Sequence, residues 1–360
     1  MSFTYYTYDR KCDAPFAKEL NEEVNLYFKR ENISKSANTK MLVKSGMLLL
    51  LFFVPLTLML TGVVSQIALL YVLWIIMGVA MAGIGMCIMH DAIHGAYSRS
   101  KVVNKVLGLT LNLVGGNAFV WHVQHNVLHH TYPNVDQVDD DLDIPFLLRM
   151  SPHQPRHWFH RYQQVYVWIL YAFATLFWVT SKDFVMLNKY RERQLLEVDK
   201  NFLKHVLNIV SWKLVYFGYL LVLPIMLLAV PFWHVLLMFL VMHLTAGVLL
   251  SIIFQPAHVF EGTDFIKQDQ EVAIDRSWHL YQLQTTTNFK LGPFLSWLSG
   301  GLNYQIEHHL FPNICHVHYP KLSKIVKKLA NKYDMPYHLQ GSLGGALKLH
   351  YQQLRILGAD

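Results

Sequence analysis

The chain has 360 residues, of which 53% are hydrophobic and only 15% are charged. Soluble domains carry about 25% charged residues, so this composition favours an integral membrane protein and excludes a disordered chain, a collagen-like chain and a disulfide scaffold. The net charge of +7 is typical of the Lys and Arg that membrane proteins concentrate in cytoplasmic loops, and we expect no nucleic-acid partner.

The first apolar stretch follows a basic N-terminal segment, residues 1–44. Residues 45–89 contain no Asp, Glu, Lys or Arg. A helix needs about 20 apolar residues to cross a bilayer, so this stretch predicts two transmembrane helices, near 45–63 and 67–89. The lysines of the N-terminal segment indicate that it faces the cytoplasm.

The first histidine cluster begins where the second predicted span ends. His90 and His94 are four residues apart, a spacing that places both imidazoles on one helix face, where they can share a metal ion. An isolated pair of this kind is more often two ordinary surface or core histidines. The metal hypothesis therefore depends on the clusters that follow.

The second histidine cluster follows the apolar run 106–121. His125 and His129 again share a helix face. His130 is rotated from His125 and His129 by about 100°, so it could reach a second ion. An acidic run over residues 139–143 follows this cluster.

A second pair of spans comes later in the chain. Residues 214–260 again contain no Asp, Glu, Lys or Arg, and they predict helices near 214–231 and 235–255. The sequence therefore predicts four transmembrane helices in two hairpins, with both termini and the basic segment 182–213 on the cytoplasmic side.

Two shorter apolar runs, 106–121 and 165–180, are weaker candidates for membrane crossing. The second run is short for a span, and the first contains polar residues and glycines. An odd number of crossings between the histidine clusters would also place the clusters on opposite faces. We therefore expect both runs to lie at the membrane interface or against the core.

The third histidine cluster lies beyond the last predicted span. His258 comes just after that span, and Gln305, His308 and His309 follow further along. Gln305 precedes His308 by three residues and His309 by four. At this spacing its amide would be either a weak metal ligand or the hydrogen-bond partner of a metal-bound water. The remaining residues, 322–360, form a basic cytoplasmic tail behind a main domain of residues 45–321.

Eight histidines at the ends of apolar spans predict a metal site. Structural zinc usually has four ligands, and imidazole also suits iron, copper and nickel. The chain has no HExxH motif of a zinc protease and no CxxC pair among its three cysteines. A haem held by two histidines stays open as an alternative, although only His243 lies clearly inside a predicted span.

The three clusters resemble the histidine boxes of the membrane fatty-acid desaturases. They read HDAIH at 90–94, HNVLHH at 125–130 and QIEHH at 305–309. The similarity extends to the acidic run after the second box and to the residues around the third, and it covers about residues 45–321. A glutamine at the start of the third box resembles the front-end group, which also includes sphingolipid desaturases.

The resemblance implies an all-α membrane protein with a cytoplasmic helical cap, two non-haem irons and dioxygen as co-substrate. The implied reaction places a cis double bond in an acyl-lipid or acyl-CoA chain. The implied iron ligands are His90, His94, His125, His129, His130, His258, His308 and His309. The chain lacks the HPGG motif of a fused cytochrome b5. We therefore expect a separate ferredoxin or cytochrome b5 as the electron donor, and a bacterial inner membrane rather than the endoplasmic reticulum.

Carboxylates near the boxes are candidate partners of the ligand histidines. A ligand histidine usually donates its second N–H to a carboxylate or a carbonyl, and the candidates are Asp91, Asp139, Asp140, Asp141, Asp143 and Glu307. Two other functions stay open. One is hydroxylation of an acyl chain or sphingolipid on the same centre, and the other is a non-catalytic membrane protein that binds haem or metal.

Overall fold

The computed structural model describes residues 6–9, 13–142, 144, 146–195, 198, 200–267 and 273–359. Within these residues the chain is mostly helical. The strands are short: β1 (Thr7–Tyr8) pairs in parallel with β2 (Ala273–Ile274), and β3 (Asn288–Phe289) pairs in parallel with β4 (Leu339–Gln340). The predicted helical fold class is therefore confirmed.

The long helices form the body of the protein. They are α1 (Ala14–Arg30), α2 (Thr39–Leu60), α3 (Ile67–Ile93), α4 (Lys101–Leu113), α5 (Ala118–His129), α6 (Trp158–Glu192), α7 (Phe202–Leu227) and α8 (Phe232–His258). Five of the described helices, α2, α3, α6, α7 and α8, are long and apolar enough to cross a membrane. The count rises to six if the bent pair α4 and α5 is one span.

The count of five differs from the expected four because of α6. The apolar run 165–180 is short, but the helix continues past both of its ends and reaches 35 residues. The other weak run forms the bent pair, in which α4 and α5 meet at 109°. Gly115 in the break has φ +92, a backbone conformation that glycine adopts without the strain that a side chain brings.

The central packing joins α3 and α8. Helix α3 contacts α2 on one side and α8 on another, and α8 also packs against α6. Helices α6 and α8 cross closely at Gly247, where an added Cβ would collide with the carbonyl oxygen of Ala172. Helix α3 ends one residue before His94, and α8 ends at His258, so this core determines where two of the histidine groups meet.

The shorter helices cover the ends of α3 and α8. They are α9 (Trp278–Thr285), α10 (Pro293–Leu298), α11 (Gln305–Leu310), a 3-10 turn (His316–His318), α12 (Tyr319–Lys332) and α13 (Leu343–Ala359). Helix α1 packs on α12, and α13 packs on α6 and α8. Buried His350 of α13 bonds to Tyr171 of α6 at 2.7 Å. The residues predicted as a tail therefore form helices that belong to the same packed body.

Candidate metal centre

The first box extends directly from the apolar core. Helix α3 changes to π-helical geometry over Ile84–Met89 and then carries His90 one turn before its end. His94 follows the last turn, where its backbone N–H bonds to the His90 carbonyl at 3.1 Å. The π-helical geometry is rare and is frequent at functional sites. Here it directs both imidazoles into the cluster.

The second box lies in another π-helical segment, His122–His129. The backbone N–H of His130 bonds to the His125 carbonyl, five residues back, at 2.9 Å. This bond places the imidazole of His130 beside that of His125, with their Nε2 atoms 3.2 Å apart. The expected rotation of His130 away from His125 assumed an α-helix, and the π-helical turn changes it.

The third box and His258 complete the cluster. The Nε2 atoms of His130 and His308 lie 2.9 Å apart, although 178 positions separate these residues. Candidate ligand atoms fall into groups whose members lie within 4.8 Å of one another. We call His90, His94, His125 and His308 site one, and His129, His258 and His309 site two. His130 stands between them, because it also forms a group with His308 and His309.

The chemistry of the cluster fits metal ions. Several imidazole nitrogens are buried without a hydrogen-bond partner, namely His90 Nδ1, His94 Nε2, His129 Nε2, His130 Nδ1, His258 Nδ1 and His309 Nε2. An unsatisfied buried polar atom costs about 1–3 kcal/mol, and coordination would satisfy each one. Burial, and then the neighbouring imidazoles, lower the pKa of His130, His308 and His309 well below the usual value. Neutral imidazole is the form that binds metal.

Four of the histidines are oriented by bonds from their Nδ1 atoms. His129 donates to Asp139 at 2.9 Å, and His125 donates to Asp141 at 2.5 Å. The same atom of His309 donates to Gln282 at 2.7 Å, and that of His308 bonds to the Tyr319 hydroxyl at 3.2 Å. Such bonds fix the tautomer and the ring orientation of a metal ligand, and they leave Nε2 of all four rings for the cluster.

The other predicted carboxylates have different partners. Asp140 accepts hydrogen bonds from Lys189 at 2.6 Å and Arg193 at 2.9 Å. Glu307 accepts from Asn288 at 2.7 Å and Tyr337 at 3.0 Å, and burial raises its pKa to about 7. Asp91 accepts from His316 at 2.8 Å and lies 3.8 Å from His90 Nδ1. Asp143 lies outside the described residues.

Gln305 lies against site two. Its Nε2 atom is 2.8 Å from the Nε2 atom of His258, and its side-chain oxygen is buried without a partner. The first residue of the third box therefore places an amide, and not an imidazole, beside His258. This contact also joins Gln305 to His258, which the sequence places 47 positions earlier.

A mostly apolar cavity opens beside site one. His90 and His125 form part of its wall, together with Met86, Met89, Trp121, Trp178, Lys182, Leu250 and Phe254. A second cavity shares Gly85, Met89, Thr175, Trp178 and Leu250 with the first and continues to Met81, Leu111 and Val114. Because the two cavities share five lining residues, they adjoin each other, and we call them together the apolar path.

Comparison with known proteins decides the family. A sequence model described as fatty acid desaturase matches residues 66–341. The chain belongs to the fatty acid desaturase family. The resemblance seen in the histidine boxes is therefore confirmed, and this desaturase is an oxidoreductase that acts on fatty acyl chains.

Several relatives of this desaturase match along most of its length. The sn-1 linoleoyl-lipid 6-desaturase of Synechocystis sp. is 35% identical over 95% of both chains. The enzyme of the same name from Arthrospira platensis is 34% identical over 96% of this chain and 93% of its own. The acyl-lipid (8-3)-desaturase of Physcomitrium patens is 32% identical over 94% of this chain and 71% of its own.

Sequence reasoning missed several side chains of this desaturase that contact the cluster or its neighbours. His316 is buried and links Asp91 to Lys44, whose Nζ lies 3.0 Å from the His316 ring. Gln282 and Tyr319 hold third-box histidines from α9 and α12. No local spacing marks these contacts, because each partner lies on a different element.

Proposed function

We propose that this desaturase holds two irons, one at site one and one at site two, with His130 between them. The observation that carries the proposal is the meeting of eight histidines from separate parts of the chain in a single cluster, in which His94 is half-buried and the other seven are buried. Two irons, supplied with dioxygen and electrons, would provide an oxidant strong enough to remove hydrogen from an unactivated methylene.

The chain's own residues would hold the acyl substrate at this centre. The apolar path beside His90 and His125 is suited to a hydrocarbon chain, because nine Met, Leu, Trp and Phe side chains line it. These side chains would keep water from the reacting carbons and prevent side reactions. Asp141 and Asp139 would hold His125 and His129 in the orientation that presents Nε2 to the irons.

We further propose a front-end reaction that places a cis double bond in an acyl-lipid chain. Its support is the glutamine that opens the third box and the names of the relatives, which are acyl-lipid 6- and (8-3)-desaturases. The alternative substrate is an acyl-CoA chain, and the experiment below distinguishes it from an acyl-lipid chain. Electrons would come from a separate ferredoxin or cytochrome b5, because the 360 residues contain no HPGG motif.

For the membrane topology we propose four crossings, by α2, α3, α7 and α8. Helix α6 bonds near both ends to one short charged segment: Gln163 accepts from the Arg149 N–H at 2.8 Å, and Lys189 donates to Asp140 at 2.6 Å. If α6 crossed the bilayer, the segment between Asp140 and Arg149 would have to cross it too. Charged side chains oppose such a crossing.

Four crossings also agree with the convergence of the histidines. Two crossings, α7 and α8, then separate the second box from His258 and the third box, so all the boxes reach one face. The bent pair α4 and α5 would enter and leave on that same face. The basic segments indicate that this face, with the termini, is cytoplasmic, and we propose a bacterial inner membrane as the location.

The test is expression of the full chain in a host that supplies a redox partner and linoleoyl lipids. Double-bond location by mass spectrometry should show a new alkene on the carboxyl side of an existing one. Purified protein should contain about two irons per chain. An alcohol as the product would indicate a hydroxylase, and a Soret band without the alkene would indicate a haem protein.

Parallel incubations of membranes with linoleoyl phosphatidylcholine and with linoleoyl-CoA separate the two carriers. The proposal requires turnover of the lipid when acyl exchange is blocked. Turnover of the CoA ester alone would contradict the acyl-lipid assignment and leave the desaturase assignment in place.

A further inference from the structure

We propose that Lys182 binds the carbonyl oxygen at the esterified end of the acyl chain and thereby determines which carbons lie opposite the metal centre. This rests on the proposed function, because it takes the apolar path as the acyl site. It assigns a specificity role to a residue that lies outside the three histidine boxes and the acidic run.

Lys182 lines the first cavity and is more exposed than the buried part of its wall. It is half-buried, whereas Gly85, Met86 and Met89 deeper in the wall are buried. Its ammonium group lies 5.3 Å from the centre of the Trp178 ring. Its charge is close enough to act on the carboxylates of Asp141 and Asp183, but within the part of the chain that the structure describes this ammonium group makes no hydrogen bond and no direct ion pair. It is therefore free to donate to an oxygen atom of a ligand.

The path is polar at one end and apolar at the other. Among the described residues that line the first cavity, Lys182 is the only Lys or Arg. The second cavity, which Lys182 does not line, adds Met81, Leu111 and Val114. An acyl chain, which has one polar end, fits this path with its carbonyl at Lys182 and its methyl end at Leu111. Since His90 and His125 line the same cavity as Lys182, the reacting carbons lie toward the carbonyl end.

Asp141 favours a carbonyl over a free carboxylate at this position. Asp141 also lines the cavity, and its oxygens are engaged by His125 at 2.5 Å and by Gln124. A free fatty acid bound at Lys182 would bring a second negative charge beside Asp141. An ester or thioester carbonyl carries no net charge, so it can accept from Lys182 without this repulsion.

The backbone that carries Lys182 is held in place from α7. Trp178–Lys182 is π-helical, and the carbonyl oxygens of Trp178 and Val179 accept hydrogen bonds from Lys213 Nζ at 3.2 and 2.8 Å. Lys213 also pairs with buried Asp183 at 2.8 Å. Lys213 is thus a positioning residue. It fixes the segment from which Lys182 reaches the cavity. The ammonium group must be held in place if its distance to the metal centre is to determine which carbons react.

The experiment compares Lys182→Met with Lys182→Arg in the full chain, in membranes that contain linoleoyl phosphatidylcholine. Lys204→Met is the matched control, because Lys204 is exposed on α7 and lines neither cavity. Lys182→Met should lower turnover about tenfold, the loss expected for one hydrogen bond to a charged group. It should also spread the new double bond over more than one position.

Lys182→Arg should restore a single position, and Lys204→Met should match the unmodified chain. Iron content should be the same in all four proteins. A Lys182→Met enzyme with unchanged turnover and a single unchanged position would overturn the proposal, and so would loss of iron in that variant. Absence of any alkene from the unmodified chain would instead refute the proposed function.

Discussion

Site one and site two differ in what they face. Two histidines of site one, His90 and His125, form part of the cavity wall. The described residues that line the two cavities of the path include no member of site two, and His258 of that site contacts the amide of Gln305. The difference indicates that an iron at site one would lie nearest the substrate, while an iron at site two would be enclosed by protein.

Removal of one ligand from each site should give the largest effect. We expect His125→Ala and His129→Ala each to lower product formation by more than about 100-fold, since loss of a residue that merely orients a ligand already costs about 10–100-fold. Each variant should stay in the membrane and keep about one iron per chain. Iron analysis and product assays check both statements.

The exposed His153 gives a matched control for these ligand variants. His153→Ala should behave as the unmodified enzyme does. Near-normal turnover in His129→Ala would contradict the ligand assignment, and loss of both irons from either variant would show that the sites do not bind independently.

Removal of the carboxylates that orient the ligands should give the next effect. Asp141→Asn acts on His125 of site one, and Asp139→Asn acts on His129 of site two. Each should reduce iron affinity or activity about 10–100-fold, measured by iron release to a chelator. Asp140→Asn is the control, because Asp140 bonds to Lys189 and Arg193. An equal loss of iron in all three variants would show a general structural effect.

A side chain at Gly85 should affect the path beside site one and leave both irons bound. Gly85 lines both cavities, and an added Cβ would lie 3.6 Å from Leu250 Cδ2, an ordinary contact. Gly85→Leu should therefore narrow the path and lower turnover of long acyl chains about tenfold. Gly46→Leu is the control, because nothing lies within 4 Å of its added Cβ. Unchanged turnover in Gly85→Leu would show that the chain lies elsewhere.

Replacement of Gln305 should give the smallest effect and sharpens the description of site two. If the amide only bonds to His258, Gln305→Leu removes one neutral hydrogen bond of about 1 kcal/mol, and activity should fall about fivefold. A fall of more than about 100-fold would identify Gln305 as an iron ligand. Stopped-flow turnover and iron content in the same preparations distinguish these results.

The sequence was most informative where function depends on local spacing. The pairs His90 with His94 and His125 with His129 are visible because residues four apart share a helix face. The charge-free stretches around them predict the membrane helices for a similar reason, since about 20 consecutive apolar residues are needed for a span. The full length of helix α6 was not predicted, because its polar ends extend an apolar run that is short by itself.

Contacts between distant elements could not be predicted from the spacing of residues in the sequence. The contact of His316 with Lys44 joins residues 272 positions apart, and Gln282 reaches His309 across 27 positions. Acidic residues could be proposed as partners of the ligands, but Asp139 and Asp141 could not be distinguished from Asp140 by sequence. The backbone conformation after the second box determines which of these three carboxylates faces an imidazole.

The sequence alone determined the family, the helical membrane class and the identity of the histidines, because these depend on residue type and on intervals of a few residues. The tertiary structure decided which imidazoles lie close enough to share a metal ion, which rings are oriented by which acceptors, and which residues line a cavity together with Lys182. Those relations arise when helices from separate parts of the chain pack against α3 and α8. Packing geometry of this kind depends on the shapes of many side chains together, and no local pattern encodes it.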